Sequence, residues 1–228
     1  VAISHRFEVV APEAASVSTP MVVDESKYAA HGKRLFDLVV TLACLPIILP
    51  VMLVLWVLVR RDGGAFFFAH HRVGKGGEVF PCMKIRTMVV NADEVLRDIL
   101  ENDPERAHEW RTHFKLRNDP RVTKIGRVLR ATSLDELPQI FNVLKGEMSI
   151  VGPRPITEEE LDLYEGMADT YRAVRPGLTG PWQITGRREN DFSSRARLDA
   201  EYVANMSFGK DFSILLRTVP EVLLAKGR

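Results

Sequence analysis

The feature that most constrains this chain is LVVTLACLPIILPVMLVLWVLV, Leu38 to Val59, a run of 22 residues without a charge. Soluble cores seldom need so long an apolar run, and about 20 such residues suffice to cross the hydrocarbon of a bilayer. Two features argue against a simple crossing. Pro46 and Pro50 sit in the middle of the run, where each removes a backbone donor and obstructs the preceding turn, so a bend is expected halfway along. Lys33 and Arg34 precede the run and Arg60 and Arg61 follow it. Equally basic ends give a crossing helix no preferred direction, whereas a hairpin that returns to its own side satisfies both. The sequence therefore predicts a re-entrant membrane helix-break-helix over residues 32–61, dipping into one leaflet, with the chain beyond it on the cytoplasmic surface.

Residues 1–31, rich in Ala, Ser, Pro and Val without helical or strand period, read as a disordered tail with no secretory signal at its start. Residues 62–228 read as a small cytoplasmic α/β domain. The expected fold class is α+β, mainly α, with the membrane hairpin, one short β-hairpin and amphipathic interfacial helices. The β-hairpin is placed in GGAFFFAHHRVGKGGEVFPCMKIRTM, where GKGG is a turn because it lacks the spacing of a nucleotide loop. Helical spacing over 91–114 is interrupted at Asp103-Pro104, and the histidines of HEWRTH, five apart, do not share a face as a zinc-protease pair would. In the last segment Phe212, Leu215, Leu216, Val219, Val222 and Leu223 form an apolar stripe, with Lys210, Arg217, Lys226 and Arg228 available to the polar face. That stripe suits burial or a lipid interface equally. Cys44 and Cys82 form no CxxC pair, which points away from a disulfide framework or zinc site and fits a reducing compartment.

The net charge of +1 argues against bulk affinity for nucleic acid, but the charge is uneven. Lys115, Arg117, Arg121, Lys124, Arg127 and Arg130 face only Asp119 within their own stretch, which implies an anionic partner. Immediately after comes TSLDELPQIFNVLKGEMSIVGPRP. Ser133 and Glu136 have capping-box spacing, Pro138 confines the helix start, and Gly146 supplies a stop. Asp135 and Glu136 then occupy a first helical turn, where the dipole alone stabilises a carboxylate by a few tenths to about 1 kcal/mol. Their company suggests more. Arg130 lies just upstream, and Arg154 is held between two prolines that stiffen its backbone. Rigid arginines near paired acids describe a site for phosphate and a divalent metal.

Adjacent helical carboxylates diverge by about 100°, which makes them poor as the opposed acids of a glycoside hydrolase. One can instead attack phosphorus while its neighbour helps to hold magnesium, which takes hard oxygen ligands. Lys84 and Arg86, alternating out of the second hairpin strand, are placed to meet a phosphate. A DNA-binding helix pair is spoiled by Pro138 and leaves the hydrophobic run unexplained, so no nucleic acid is expected. A non-catalytic membrane scaffold would account for surface attachment and leave the Arg-flanked acids without a purpose.

KIRTM, LRNDPRVTKIGRVLRATSLDELPQIFNVLKGEMSIVGPRP and RPGLTGPWQITGR, in this order behind a proline-broken hydrophobic segment, resemble the monotopic bacterial sugar transferase family, the polyprenyl-phosphate phosphoglycosyl transferases. The likeness runs from about Lys33 to the C-terminus. It implies that Asp135 is the nucleophile on a UDP-sugar, releasing UMP and carrying a sugar phosphate that undecaprenyl phosphate then accepts. It implies that Glu136 assists Mg2+ binding with Asp135, and that Lys84, Arg86, Arg130, Arg154 and Arg175 bind substrate. It also implies a place on the bacterial inner membrane with the catalytic domain facing the cytoplasm. A homodimer is compatible with it. The Pro-Trp of LTGPWQ is similar to the hexose-transferring branch that starts exopolysaccharide synthesis, while transfer of an N-acetylated sugar phosphate stays open. The chain departs from the family at Leu45-Pro46, where Ser-Pro is usual, and at His70 and His71, where a glutamine is usual before Arg72.

Overall fold

The computed structural model describes residues 28–113, 116–164, 166–185 and 192–223. The expected tail up to residue 27, Lys115, Arg187, Lys226 and Arg228 lie outside them, as do the side chains of Val222 and Leu223.

The apolar run forms one helix, α1, Lys33–Val59, with Pro46 and Pro50 inside it. The expected break between two helices is not seen. Each proline removes one amide donor, and the helix runs on through both of them with the rest of its ladder in place. The helix is about 40 Å long and lies along the body rather than within it. Its most apolar 18-residue window is only 17% buried, too little for the core helix of a soluble domain. Leu42, Ile47, Leu53, Val54 and Val57 point outward.

Both ends of α1 are fastened to the same body. At the start, Arg34 donates to the carbonyls of Val143 and Leu144 at 2.6 and 2.8 Å. Asp37 accepts from the Ser149 hydroxyl and the Ile150 amide at 2.8 and 3.0 Å. At the end, Met52, Leu55 and Val59 join Phe66, Ile85 and Leu129 in a buried cluster. Lys33 and Arg34, read from sequence as topology signals, are thus consumed inside the protein. Arg60 and Arg61 alone of the four stay exposed.

The β-hairpin forms as expected: β1, Phe67–Val73, pairs antiparallel with β2, Val79–Ile85. Gly76 and Gly77 take φ of +73° and +82° in the turn, a region that favours glycine. Helices α2, Ala92–Asn102, and α3, Pro104–His113, part at Asp103 as the proline dictates. Helix α4, Lys124–Ala131, is capped by the Thr123 hydroxyl. It lies so close to the hairpin exit that a Cβ on Gly126 would sit 2.0 Å from the Thr87 carbonyl. After it come α5, Gln139–Lys145, and β3, Ser149–Val151. The four-residue α6, Glu158–Leu161, follows, with a genuine capping box between Thr157 and Glu160. Then come α7, Ala168–Arg172, β4, Gly177–Thr179, α8, Pro181–Thr185, α9, Phe192–Ala204, and α10, Phe208–Leu223. Strand β4 pairs parallel with β3.

The main core joins Phe36 of α1, Phe80 and Cys82 of β2, Ile140 and Val143 of α5, Ile150 and Val151 of β3, Tyr202 and Val203 of α9, and Ile214 of α10. In α10 the stripe divides. Leu215 packs against the core beside the buried Ile214, whereas Phe212, Leu216 and Val219, with Phe208 before them, are about half exposed or more, at 46, 56, 50 and 57%. Those four recur at helical spacing, so α10 presents an apolar face outward. It joins α1 where the Phe208 ring meets Phe36 edge-on at 5.8 Å.

Candidate active site

Between α4 and α5 the chain makes a single 3₁₀ turn, Leu134–Glu136. The capping box expected from Ser133 is absent. Ser133 takes left-handed φ of +55°, and its side chain caps nothing. A non-glycine residue held there is strained, and such residues concentrate at functional sites. The two acids therefore precede α5 instead of occupying its first turn, and Pro138 marks the true helix start. Leu134 and Leu137, flanking them, pack against the Met52–Phe66–Ile85 cluster and pin the turn.

Asn142 fastens this region to the hairpin. Its Oδ1 accepts from the Met83 amide at 3.1 Å, and its Nδ2 donates to the Pro81 carbonyl at 2.9 Å. That link brings Lys84 beside the acids, and its Nζ donates to Glu136 Oε1 at 2.8 Å. Asp135, only 8% exposed, makes no side-chain hydrogen bond or ion pair with another of the described residues. Burial pushes its carboxyl above the ordinary aspartate range, and Glu136 adds to the rise while Lys84 and Arg130 oppose it. For Glu136, burial pushes upward too, but Lys84 and Arg154 outweigh it and hold that carboxyl below its usual range. The neighbours thus have different characters: Glu136 is a fixed anion, and Asp135 a proton-hungry and unpaired one.

Arg130 is anchored by its Nε to the Thr87 hydroxyl at 2.9 Å and is exposed beyond that point. The Gly-Pro-Arg-Pro loop is held by its backbone. The Gly152 amide bonds the Thr179 carbonyl, and the Gly177 amide bonds the Pro153 carbonyl. A Cβ on Gly152 would lie 2.6 Å from the Arg175 carbonyl, so only glycine allows this approach. The Tyr171 hydroxyl accepts from the Ile156 amide at 3.3 Å, and Arg195 donates to the Arg154 carbonyl at 3.4 Å. The Arg154 guanidinium has no hydrogen-bond partner among the described residues. Arg72 of β1, paired to Glu160 at 3.2 Å, is a further cation acting on Glu136.

Two expected members do not join. Arg86 spends its guanidinium on Asp62 and on the carbonyls of Ala65, Met88 and Val59, all five N–H donors engaged. It is a brace between the end of α1 and the hairpin. Arg175 donates to the Gly146 carbonyl at 2.6 Å, at the C-terminal end of α5 and away from the acids before its N-terminus. Of the basic run, Arg121 is likewise internal, forked onto Asp119 at 2.7 Å and stacked on Trp110 at 4.8 Å. Sequence reasoning passed over Arg72, Thr87 and Asn142. The contacts that tie them to the site reach far along the chain, 43 residues from Thr87 to Arg130, 61 from Asn142 to Pro81 and 88 from Arg72 to Glu160, and only Arg72, before Val-Gly in the hairpin, carried a local signal.

The assembled site is an unpaired buried carboxylate, a lysine-locked carboxylate and two arginines with donors to spare. It can bind a diphosphate and present one oxygen nucleophile to phosphorus. Residues 28–225 match the family described as bacterial sugar transferase. The chain is 50% identical over 195 residues to an undecaprenyl-phosphate galactose phosphotransferase of Salmonella typhimurium, which covers 86% of this chain but 41% of that protein. It is 44% identical over 218 residues to exopolysaccharide production protein ExoY of Rhizobium meliloti, across 93% of this chain and 96% of that one. It is 36% identical over 200 residues to a UDP-glucose:undecaprenyl-phosphate glucose-1-phosphate transferase of Caulobacter vibrioides, across 84 and 69%. The chain thus spans about two fifths of the first relative and nearly the whole of the second.

Proposed function

The chain belongs to the bacterial sugar transferase family, and from that premise we propose that it transfers a hexose 1-phosphate, galactose or glucose, from a UDP-sugar to undecaprenyl phosphate. In the first step an Asp135 oxygen attacks the β-phosphorus, the bond to the UMP oxygen breaks, and UMP departs with that electron pair. The protein then carries an aspartyl-phosphosugar. In the second step a phosphate oxygen of undecaprenyl phosphate attacks the same phosphorus, the acyl-phosphate bond breaks, and Asp135 returns as a carboxylate. The observation that carries this reading is the asymmetry of the acids: Asp135 is unpaired and made more basic by burial, while Glu136 is locked by Lys84. A carboxylate of raised pKa is the better nucleophile once deprotonated.

The remaining residues serve charge and position. Arg130 and Arg154 hold the diphosphate from two sides, and Lys84 keeps Glu136 ionised. Asp135 and Glu136 offer hard oxygens of the kind Mg2+ takes alongside phosphate oxygens and water, so two protein carboxylates fit that ion's usual needs. When bound there it would offset the charge of the incoming phosphates.

We also read the protein as monotopic. Its supports are α1, fastened at both ends to one body, and the outward apolar faces of α1 and α10. A helix crossing a hydrocarbon core about 30 Å thick would leave its ends on opposite sides. The body then rests on the surface of one leaflet, the cytoplasmic one, with the site at headgroup height.

The test is to incubate the protein in nanodiscs with Mg2+ and radiolabelled UDP-galactose or UDP-glucose. UMP release with hexose phosphate on Asp135 by intact mass is the expected result. Turnover retained in Asp135→Asn would contradict covalent transfer, and no label from any nucleotide sugar would leave a membrane scaffold.

A further inference from the structure

A cavity of about 410 Å3 opens between the turn of the hairpin and the C-terminal end of α5, and Glu147 is one of its walls, with Lys75, Glu78, Pro81 and Arg175. Glu147 lies just past the end of α5 opposite to the acids, yet its Oε2 accepts from Asn142 Nδ2 at 2.6 Å. We propose that Glu147 is a positioning residue for the dyad, acting through Asn142 and the hairpin on Lys84, a role that rests on the transfer reaction read above.

The first link is the orientation of one amide. Asn142 is wholly buried, and its Oδ1 and Nδ2 bond the Met83 amide and the Pro81 carbonyl of β2. A carboxylate only accepts, so Glu147 admits Nδ2 on its side and rejects Oδ1. Turned over, the Asn142 amide would set its donor against the Met83 N–H and its acceptor against the Pro81 carbonyl. The second link is the part that gives when this hold is lost. The C-terminal end of α5 is braced from elsewhere: Arg34 donates to the Val143 and Leu144 carbonyls and Arg175 to that of Gly146. The amides of Glu147 and Met148 both bond the Asn142 carbonyl, so the backbone of this turn stays put when the Glu147 side chain is changed. What loosens is β2, tied at its middle by the Asn142 amide. Lys84 follows Met83 in that strand, its Nζ 2.8 Å from Glu136 Oε1, and a misplacement of about 1 Å at a site costs up to about 10²-fold in rate. The third link is charge. Burial raises the Asp135 pKa, Lys84 is the strongest force against that rise, and Glu136 and Arg130 act on it more weakly from either direction. Lys75, Glu78 and Arg175 share the cavity with Glu147, and among the described residues none of them bonds the Asn142 side chain.

Glu147→Gln keeps the shape but donates as well as accepts, so the Asn142 amide loses its fixed sense. In the full chain in nanodiscs with Mg2+ and UDP-galactose or UDP-glucose, the UMP burst is expected to slow about tenfold, the usual cost of losing a group that orients a site's ligands. The acidic limb of the rate profile should move to higher pH, because a displaced Lys84 no longer holds the Asp135 pKa down. The lost Glu147 charge, acting directly through space, would move that limb to lower pH instead. Glu78→Gln removes a carboxylate from the same cavity and is expected to change neither rate nor limb. An unchanged burst in Glu147→Gln, or a limb that stays or moves to lower pH, would overturn the relay. A second readout needs no turnover. Acetylation of Lys84 by an N-hydroxysuccinimide ester, followed by peptide mass, should run several-fold faster in Glu147→Gln than in the unaltered protein or Glu78→Gln, with the buried Lys33 protected in all three. Equal labelling of Lys84 would overturn the proposal, and so would a reactive Lys33, since the substitution then loosens the whole fold. Absence of a UMP burst in the unaltered protein would remove the enzymatic reading and leave the labelling to decide whether Glu147 places Lys84.

Discussion

Two clusters in this protein are built from a lysine and two carboxylates, and they have opposite uses. At the start of α1, Lys33 lies 3.2 Å from Asp37 and 2.8 Å from Asp211. Tyr28 and Tyr202 donate to Asp211 at 2.6 and 2.7 Å, and Ser149 and the Ile150 amide donate to Asp37. Both acids are fully buried, and the one carboxylate oxygen left over there is Asp37 Oδ2. At the 3₁₀ turn, Lys84 satisfies Glu136 alone, and Asp135 and Arg154 keep their side chains uncommitted. Near-complete pairing makes the first cluster a fastening between α1, β3 and α10. Deficit makes the second a site, since an uncommitted charge in a partly buried place is stabilised most by a ligand that completes it.

If that contrast is right, the first cluster should fail in stability and the second in rate. The largest effect belongs to Asp135→Asn, expected to cost at least about 10⁴-fold in UMP release, as loss of a covalent nucleophile does. Comparable activity in that variant would erase the distinction. Lys33→Met leaves two buried acids without a counter-charge and should cost about 3–5 kcal/mol of stability, lowering Tm by roughly 10 °C with the activity of the folded fraction intact. Arg154→Ala should do the reverse, losing about 10²-fold in the donor half-reaction with little change in Tm. Arg130→Ala sharpens the picture through pH. Arg130 lowers the Asp135 pKa, so its removal raises that pKa further and moves the acidic limb of the rate profile to higher pH. The smallest effect is on stability again. Asp135 has a folded pKa raised by burial, so its ionisation costs stability as pH rises through that value, and the neutral Asp135→Asn should melt about 2 °C higher at pH 7. A lower melting point would mean that Asp135 has a structural partner.

How much of this could be read from the chain depended on the range of the interaction. The hairpin was legible because strand alternation and GKGG are local, and so was the break at Asp103-Pro104. The acids and their two arginines were legible as chemistry. The turn that carries them was not: capping-box spacing at Ser133 and Glu136 looks alike whether an α-helix or a 3₁₀ turn follows, and the real box formed at Thr157 and Glu160. Lys84 and Arg86 are two residues apart and were expected to act together. What separates them is Asp62, 24 residues from Arg86, which no local pattern reveals. Pro46 and Pro50 signalled a break by local rules that the helix does not follow, and the docking of its first turn by Asp37 onto Ser149, 112 residues on, had no local signal at all.

α1 and α10, joined at Phe208, carry most of the large exposed apolar side chains among the described residues, so the grease of this protein gathers along their shared flank. A detergent micelle will coat that flank as a half-collar instead of girdling the molecule, leaving the opposite side wet. On dilution of the detergent, two such flanks offer each other the nearest dry surface, so back-to-back pairs seen under those conditions report on the solvent before they report on biology.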